Sequence, residues 1–273
     1  MELLKKILTK QESIVPAVLN ASIQFAQGSH DHFSLSQTIL NAVDEDSKQY
    51  HSDDDKLHSW SNRVIEHYCE PARAYHTLTH ILSMMWFYIT NYEHTGLSED
   101  SLNDYAAVHF CIFHDIIYDP KATGGANETL SKDVFEEFLQ DLGLDQVETL
   151  KQTHEFISDS IVDTIKHQKH DCEDQLSTLN GFLLDCDLSV LSYEFESEDE
   201  AAEPNLYMSY ARNIRKEYIH IDYDTYCEAR AGVMKKFLAK EFIYFTPKII
   251  ETCEQIAREN IEKEIKILEE KVI

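Results

Sequence analysis

Apolar residues recur along this chain at intervals of three and four, which is the spacing of one face of a helix. Val15, Val18, Leu19 and Ile23 show this spacing near the N-terminus. Longer helices are predicted over about 53–68, 76–92, 98–114, 128–142, 176–191, 205–217 and 223–240, and from residue 246 toward the C-terminus, with one or two more over 145–167. Since the apolar pattern has the helical period through most of the chain, the sequence predicts an all-α protein.

Helix boundaries are predicted where capping residues and breakers gather. The stretch from Gly28 and the stretch over 118–127, YDPKATGGAN, have the composition of loops. Ser98 is the predicted N-cap of the helix that leads to residue 114, and Thr246 followed by Pro247 is typical of a helix start. With only 7 glycines and 5 prolines the chain has too few turn residues for an all-β fold. One helical domain over residues 1–273 is the simplest prediction.

The chain carries 50 acidic and 24 basic residues, a net charge of −26. Such a surface repels a nucleic-acid duplex and an anionic membrane, so neither is expected as a partner. A small phosphorylated ligand remains compatible with this charge, because a bound dication reverses the local field. The acidic run over 194–203 is predicted to be a solvated loop.

The six cysteines are widely spaced, and several lie in apolar helical patterns. This usage is typical of free thiols in a reducing compartment. The N-terminus lacks the features of a secretory signal, and no apolar run approaches the roughly 20 residues that span a bilayer. The sequence therefore predicts a soluble, cytoplasmic protein.

The stretch over 107–118, AVHFCIFHDIIY, places His114 and Asp115 at the end of a strongly apolar helix. Two such polar groups are costly to bury unless they are paired or bound to a metal. One interpretation is a histidine hydrogen-bonded to an aspartate in a helical core. The other is two adjacent ligands of one divalent cation.

Two further pieces of sequence favour the metal. His76 and His80 are four residues apart and would share one face if both lay on a helix. Asp187 is surrounded by apolar residues, and a buried carboxylate needs a cation or several donors. Asp185 would face elsewhere on that helix, although it could support a ligand from behind. Nitrogen and oxygen donors without thiolate suit Mn, Fe, Mg, Zn, Co or Ni.

The order H…HD…D resembles the signature of the HD superfamily of metal-dependent phosphohydrolases. Six segments look, in the same order, like segments of a bacterial group of predicted HD phosphohydrolases: RAYHTLTHI, FHDIIYDP, Asn127-Glu128, residues 164–167, LLDCDLSVL and residues 214–218. The likeness runs from about residue 63 to 262. Cys186 stands where that group usually has alanine, and the acidic insert is long. The resemblance implies a single HD-like helical bundle, with its core over about 63–192 and the helices of 205–273 packed on it.

The segment YHTLTHI also resembles the YHN-x-x-H segment of cyclic-nucleotide phosphodiesterases, which share the HD fold. Carried over by position, His76 is the general acid and His80 a metal ligand, together with His114, Asp115 and Asp187. Asp115 would also accept the proton of the attacking water or bridge two metals. Thr77 replaces the asparagine of those enzymes, which argues against a cyclic nucleotide as substrate.

The same comparison suggests further roles, each with a plain structural alternative. His167 could bind a second metal or lie on the surface. Glu128 could orient a ligand or water, or favour the first turn of its helix through the dipole. The predicted phosphate-binding cations, which could equally form surface ion pairs, are Arg73, Lys121 and Arg215, with Arg212 as a further candidate.

The sequence thus predicts a metal-dependent phosphohydrolase that acts on a small phosphate ester, most plausibly a nucleotide, with one or two divalent ions. Two other functions stay open. An HD-fold oxygenase would hold a di-iron centre on the same scaffold, and a binding module would hold a metal or nucleotide without turnover. A homodimer is compatible with the sequence but is not indicated by any one feature.

Overall fold

Helices account for all regular structure in the residues that the computed structural model describes, which are 2–44, 55–170, 172, 174–195 and 206–271. The twelve α-helices in these ranges are α1 Glu2–Thr9, α2 Gln11–Ala26, α3 Leu35–Asp44, α4 Asp55–Tyr68, α5 Leu78–Asn91, α6 Ser101–Phe113, α7 Ala126–Asp141, α8 Lys151–Asp163, α9 Asp174–Leu188, α10 Tyr207–Glu217, α11 Tyr223–Leu238 and α12 Pro247–Glu270. Four 3-10 segments lie at Tyr92–Thr95, Leu144–Gln146, Glu148–Leu150 and Ser189–Ser192. The prediction of an all-α protein is confirmed for the described residues.

Local capping explains several helix boundaries. The carboxylate of Asp100 accepts a hydrogen bond from the N–H of Leu102 at 2.9 Å, so Asp100, and not the predicted Ser98, is the N-cap of α6. Gly143 follows α7 with φ +69°, a conformation that costs glycine little. The predicted start of α12 at Thr246 and Pro247 is confirmed.

The predicted helix over 76–92 begins two residues late, at Leu78, with Thr77 as its N-cap. His76 therefore lies in the bend before α5 and not on the helix face that it was expected to share with His80. The physical reason is that the N–H groups of Ala74, Tyr75 and His76 bond to one distant carboxylate, described below.

The described helices bury two main apolar clusters. The larger one involves α1 to α9 and centres on aromatic residues such as Phe110, Phe113, Phe138 and Phe182. The smaller one is formed by the end of α9, the 3-10 segment Ser189–Ser192 and α10 to α12. Phe87 of α5 packs against both clusters, so the C-terminal helices rest directly on the larger group. The prediction of one domain stays a prediction, and the acidic insert falls almost wholly outside the described residues.

All six cysteines lie in the described part of the chain, and they are free thiols, as predicted. Three of them, Cys111, Cys186 and Cys227, are buried. Among the described residues, no helix combines the length and apolar character needed to cross a bilayer.

Candidate metal centre

Three separate helices bring the predicted ligands together. His80 lies in the first turn of α5, His114 directly follows the last residue of α6 as its C-cap, and Asp187 lies in the last turn of α9. Asp115 follows in the turn after α6. Each of these side chains therefore projects from a helix end toward the same point.

The donor atoms of His80, His114 and Asp187 all lie within 4.8 Å of one another. His80 Nε2 is 3.3 Å from His114 Nε2 and 3.2 Å from Asp187 Oδ1, and His114 Nε2 is 3.7 Å from the same oxygen. Ligand atoms bound at about 2.1 Å to one cation lie about 3.0 Å apart at right angles and about 3.4 Å apart at the tetrahedral angle. These three groups could therefore hold a metal ion with little movement.

The position of the proton on His114 leads to the same conclusion. His114 Nδ1 is 3.1 Å from the carbonyl oxygen of Cys111, which can only accept, so Nδ1 carries the proton and a neutral ring directs a lone pair from Nε2. That lone pair faces Asp115 Oδ2 at 3.0 Å and His80 Nε2 at 3.3 Å. Such a convergence is repulsive unless a cation, either a proton or a metal ion, lies among the atoms.

The ionisation of these groups reflects that need for positive charge. Burial opposes protonation of His114, but Asp115 and Asp187 outweigh it and raise the pKa of its imidazole. Burial dominates at His80 and lowers the pKa of that ring. Burial also opposes ionisation of Asp187, yet hydrogen bonds from three histidines hold the pKa of this carboxyl well below its usual range. The carboxylate of Asp187 is therefore charged and ready to bind a cation.

Asp115 borders the group from the open side. Its Oδ2 lies 3.0 Å from His114 Nε2 and 3.9 Å from His80 Nε2, and its side chain is 15% exposed. Burial disfavours the charged form, but His114 and His76 hold the pKa of Asp115 below its ordinary value. Asp115 could serve as a fourth ligand or accept a proton from water at the same place.

Arg73 was predicted to bind a substrate phosphate, but its guanidinium bonds to the backbone and does not line the cavity beside the metal group. Its guanidinium is buried and donates to the carbonyl oxygens of Asp115 at 2.7 Å, Ile116 at 2.8 Å and His76 at 3.1 Å. These bonds fix the backbone on both sides of the candidate ligands. Burial of a guanidinium is tolerated here because several acceptors satisfy it.

Glu217 at the end of α10 connects to His76 across the site. Glu217 Oε2 accepts from His76 Nδ1 at 2.8 Å and from the hydroxyl of Tyr118 at 2.8 Å, while Oε1 accepts the N–H groups of residues 74 to 76. Burial opposes ionisation, but the bonds from His76 and the backbone lower the pKa of Glu217 to about 2. The opposite nitrogen of the ring, His76 Nε2, lies 3.8 Å from Asp115 Oδ2.

Glu217 was missed as a functional residue by the sequence analysis, although it lies in a segment that carried the family resemblance. Its signal was weak, because a glutamate near a helix end among basic residues is usually exposed. In the structure it is only 3% exposed. That degree of burial marks a carboxylate with a specific task.

His167 approaches the same aspartate from the other side. His167 Nε2 lies 2.9 Å from Asp187 Oδ2, whereas Asp187 Oδ1 faces His80 and His114. His167 also has φ +46°, an uncommon conformation for a residue other than glycine. Strained backbone of this kind gathers at functional sites. The predicted position of His167 beside the metal ligands is thus consistent with the geometry.

Asp185 supports the fold and not the metal group. Its two carboxylate oxygens accept the N–H groups of Phe245 at 2.7 Å and Thr246 at 2.8 Å, which holds the two residues that precede α12. Burial raises the pKa of Asp185 to about 7. The expectation that it could support a metal ligand is corrected by this geometry, because two positions along a helix turn the side chain toward α12.

A cavity of about 320 Å³ opens beside the metal group. Asp115, His76 and Asp187 lie at its inner end, and Glu128 of α7 and the two glycines just before that helix form one side. Lys121 and Arg215 do not line it. Arg215 instead donates to two backbone carbonyls, those of Tyr218 and Ile221. Of the three predicted phosphate-binding cations, none is placed in the cavity.

Comparison of the chain with known protein families, with curated proteins and with solved structures gives no match in any of the three. The function of this chain is therefore inferred from its own residues and their geometry.

Proposed function

We propose that the protein is a metal-dependent phosphohydrolase of the HD type that acts on a small phosphate ester. The observation that carries the proposal is the position of His76. Its Nδ1 is bonded to the buried carboxylate of Glu217, while Nε2 points to Asp115 beside the three ligands. A fixed imidazole next to a candidate metal is the arrangement that hydrolysis of an ester needs, because the leaving oxygen must receive a proton. The resemblance of the sequence to HD phosphohydrolases supports the same proposal.

A divalent cation bound by His80, His114 and Asp187 would activate a water molecule and stabilise negative charge on the phosphoryl oxygens. The remaining work falls to the side chains of this chain. Asp115 accepts a proton from the attacking water, since His114 and His76 keep it ionised. His76, oriented by Glu217, donates a proton from Nε2 to the leaving oxygen. Burial opposes its charged form, but Asp115 and Glu217 raise its pKa and favour the proton-carrying state.

A di-iron oxygenase is the second candidate, and one observation favours it. The two oxygens of Asp187 face different histidines, as a carboxylate that bridges two ions would. The same geometry also fits a two-metal hydrolase. Iron content and spectroscopy after aerobic and anaerobic purification distinguish the oxygenase from the hydrolase.

The test is elemental analysis of the purified protein, followed by a screen of phosphate esters with added Mn²⁺, Mg²⁺, Co²⁺ and Ni²⁺. The proposal requires a bound divalent ion and turnover that chelation abolishes and metal restores. Tight metal binding without turnover of any ester would instead indicate a binding module. A protein that takes up none of these ions would refute the metal site itself.

A further inference from the structure

Arg230 on α11 is held in the wall of the cavity by two other side chains. Its Nε donates to Glu264 Oε1 at 2.9 Å, and its Nη2 donates to the hydroxyl of Tyr210 at 2.7 Å. The side chain of Glu264 is fully buried and that of Arg230 is 11% exposed. Tyr207 also donates to Glu264, so the guanidinium is fixed on a rigid support. Such a preorganised donor loses little entropy when a ligand binds.

The third nitrogen of this guanidinium, Nη1, has no acceptor among the residues that the structure describes. The side chain of Arg230 nevertheless lines the cavity. Arginine has five donor hydrogens in a fixed plane, and Glu264 and Tyr210 use those on one edge. The remaining edge can therefore donate to a bound molecule.

Two aromatic rings separate this guanidinium from the metal group. The ring of Tyr75 lies 4.7 Å from that of His80 and 4.7 Å from that of Tyr210, and the guanidinium carbon of Arg230 lies 5.1 Å from the Tyr210 ring. A phosphoryl group beside His80 and Asp115 would thus be one part of the ligand, and Arg230 would meet another part. The tyrosine faces between them suit a flat or apolar group.

The charges along the cavity argue against a polyphosphate. Among the described residues that line it, Arg230 is the single lysine or arginine, and it is already paired with Glu264. Three carboxylates, those of Asp115, Asp187 and Glu128, line the same space. One divalent ion and one paired guanidinium cannot balance these groups together with the several charges of a triphosphate.

We propose that Arg230 is the specificity-determining residue of this cavity and that it donates from Nη1 to an uncharged oxygen on the leaving group of a phosphate monoester. The substrate class is then a monophosphate whose leaving group carries a flat ring with a carbonyl or hydroxyl oxygen, such as a nucleoside monophosphate. This inference rests on the proposed function, because it assigns the phosphoryl end of the ligand to the metal group.

The test compares two esters on the Mn²⁺-loaded protein. Uridine 5′-monophosphate offers ring oxygens to Arg230, whereas the leaving group of phenyl phosphate has no acceptor beyond the ester. We expect R230K to raise KM for uridine 5′-monophosphate about tenfold, the effect of one lost hydrogen bond to a charged group, and to leave phenyl phosphate unchanged. Uridine 5′-triphosphate should be hydrolysed at least tenfold less efficiently than the monophosphate. An equal loss for both monoesters, or a preference for the triphosphate, would overturn the inference.

The matched control is R258K. Arg258 also donates from Nε to a buried glutamate, Glu254, at 2.7 Å, but it does not line the cavity. We expect R258K to change neither KM. If R230K does not fold, the double variant Arg230→Met with Glu264→Met removes the buried charge pair as a unit and should show the same loss.

Binding measured by calorimetry separates the two proposals. If no ester is hydrolysed, the proposed function fails, but weaker binding of uridine 5′-monophosphate by R230K than by R258K still supports the assignment of Arg230. Equal binding by the two variants, or no binding by the unmodified protein, contradicts that assignment.

Discussion

His76 and Glu217 are 141 residues apart in the chain and are joined by a hydrogen bond of 2.8 Å from Nδ1 to a carboxylate oxygen. The carboxylate can only accept, so Nδ1 carries a proton and Nε2 is the atom that faces Asp115. A bond between a bend and the end of a helix thus determines which nitrogen of the imidazole is available for chemistry. The proposed function depends on this orientation.

Glu217→Gln tests that orientation. The amide keeps an oxygen for the backbone N–H groups, but its nitrogen cannot accept from His76 and cannot stabilise the charged ring. We expect kcat to fall about tenfold to a hundredfold, within the usual contribution of a positioned acid, while the metal content is unchanged. Tyr118→Phe is the control, because Tyr118 donates to the same oxygen without contacting the substrate proton. Full activity in Glu217→Gln would refute the role assigned to His76.

His76→Ala and Asp115→Ala should separate acid catalysis from metal binding. The first variant should keep its metal and hydrolyse esters slowly, because His76 Nε2 faces Asp115 Oδ2 at 3.8 Å and is not among the clustered donor atoms. The second should lose both metal and activity if Asp115 is the fourth ligand, the role that its Oδ2, 3.0 Å from His114 Nε2, is placed to fill. Metal content and kcat are measured on the same preparations. Loss of metal from His76→Ala would show that the roles of the histidines are assigned wrongly.

Asp185 and Asp187 are two positions apart on α9 and should behave in opposite ways. Asp187→Ala removes a ligand oxygen shared by His80 and His114, so the variant should no longer bind metal. Asp185→Ala leaves two N–H groups at the start of α12 without acceptors and should lower the free energy of unfolding by about 2–4 kcal/mol. Urea denaturation and metal analysis of both variants check the contrast, which identical behaviour would contradict.

Metal binding should stabilise the protein. His80 Nε2 and His114 Nε2 lie 3.3 Å apart and face the carboxylate of Asp187, so a cation fits among them. Addition of Mn²⁺ at about 100 times its Kd should therefore raise the free energy of unfolding by about 2.7 kcal/mol. The increase should disappear in Asp187→Ala and persist in Asp185→Ala. Thermal denaturation with and without the ion measures it. An unchanged Tm in the unmodified protein would argue that the two histidines share a proton instead.

His109 should make the protein less stable in mild acid. It is fully buried, its Nε2 has no partner among the described residues, and burial lowers its pKa to about 3. Below pH 6.5 the unfolded chain binds a proton at this residue and the folded one does not, so stability falls as the pH falls.

His109→Phe should remove this dependence and gain up to about 1.4 kcal/mol over the unmodified protein for each pH unit between 6 and 4. Urea denaturation at several pH values measures the difference. His94→Gln, at an exposed histidine, should show the slope of the unmodified protein. Parallel curves for His109→Phe and the unmodified protein would mean that His109 is protonated in the folded state.

Local pattern was enough to predict the helices and three of the site residues. His114 and Asp115 end an apolar helix, and Asp187 lies among apolar residues, so their burial follows from neighbours close in the sequence. The start of α5 was predicted two residues early, because the bonds of residues 74 to 76 to Glu217 are not visible in the local periodicity. The structure shows His76 beside His80 for a different reason than the spacing suggested.

The sequence by itself determined that the protein is helical and which apolar faces its helices bury, because these properties depend on residues three and four positions apart. Only the tertiary structure decided that Arg73 faces the backbone, that Asp185 bonds to the residues before α12 and that Arg230 lines the cavity. It also brought Glu217 to His76. Each of these outcomes depends on a hydrogen bond or a position between segments tens of residues apart, and such bonds have no repeating pattern along the chain from which they could be predicted.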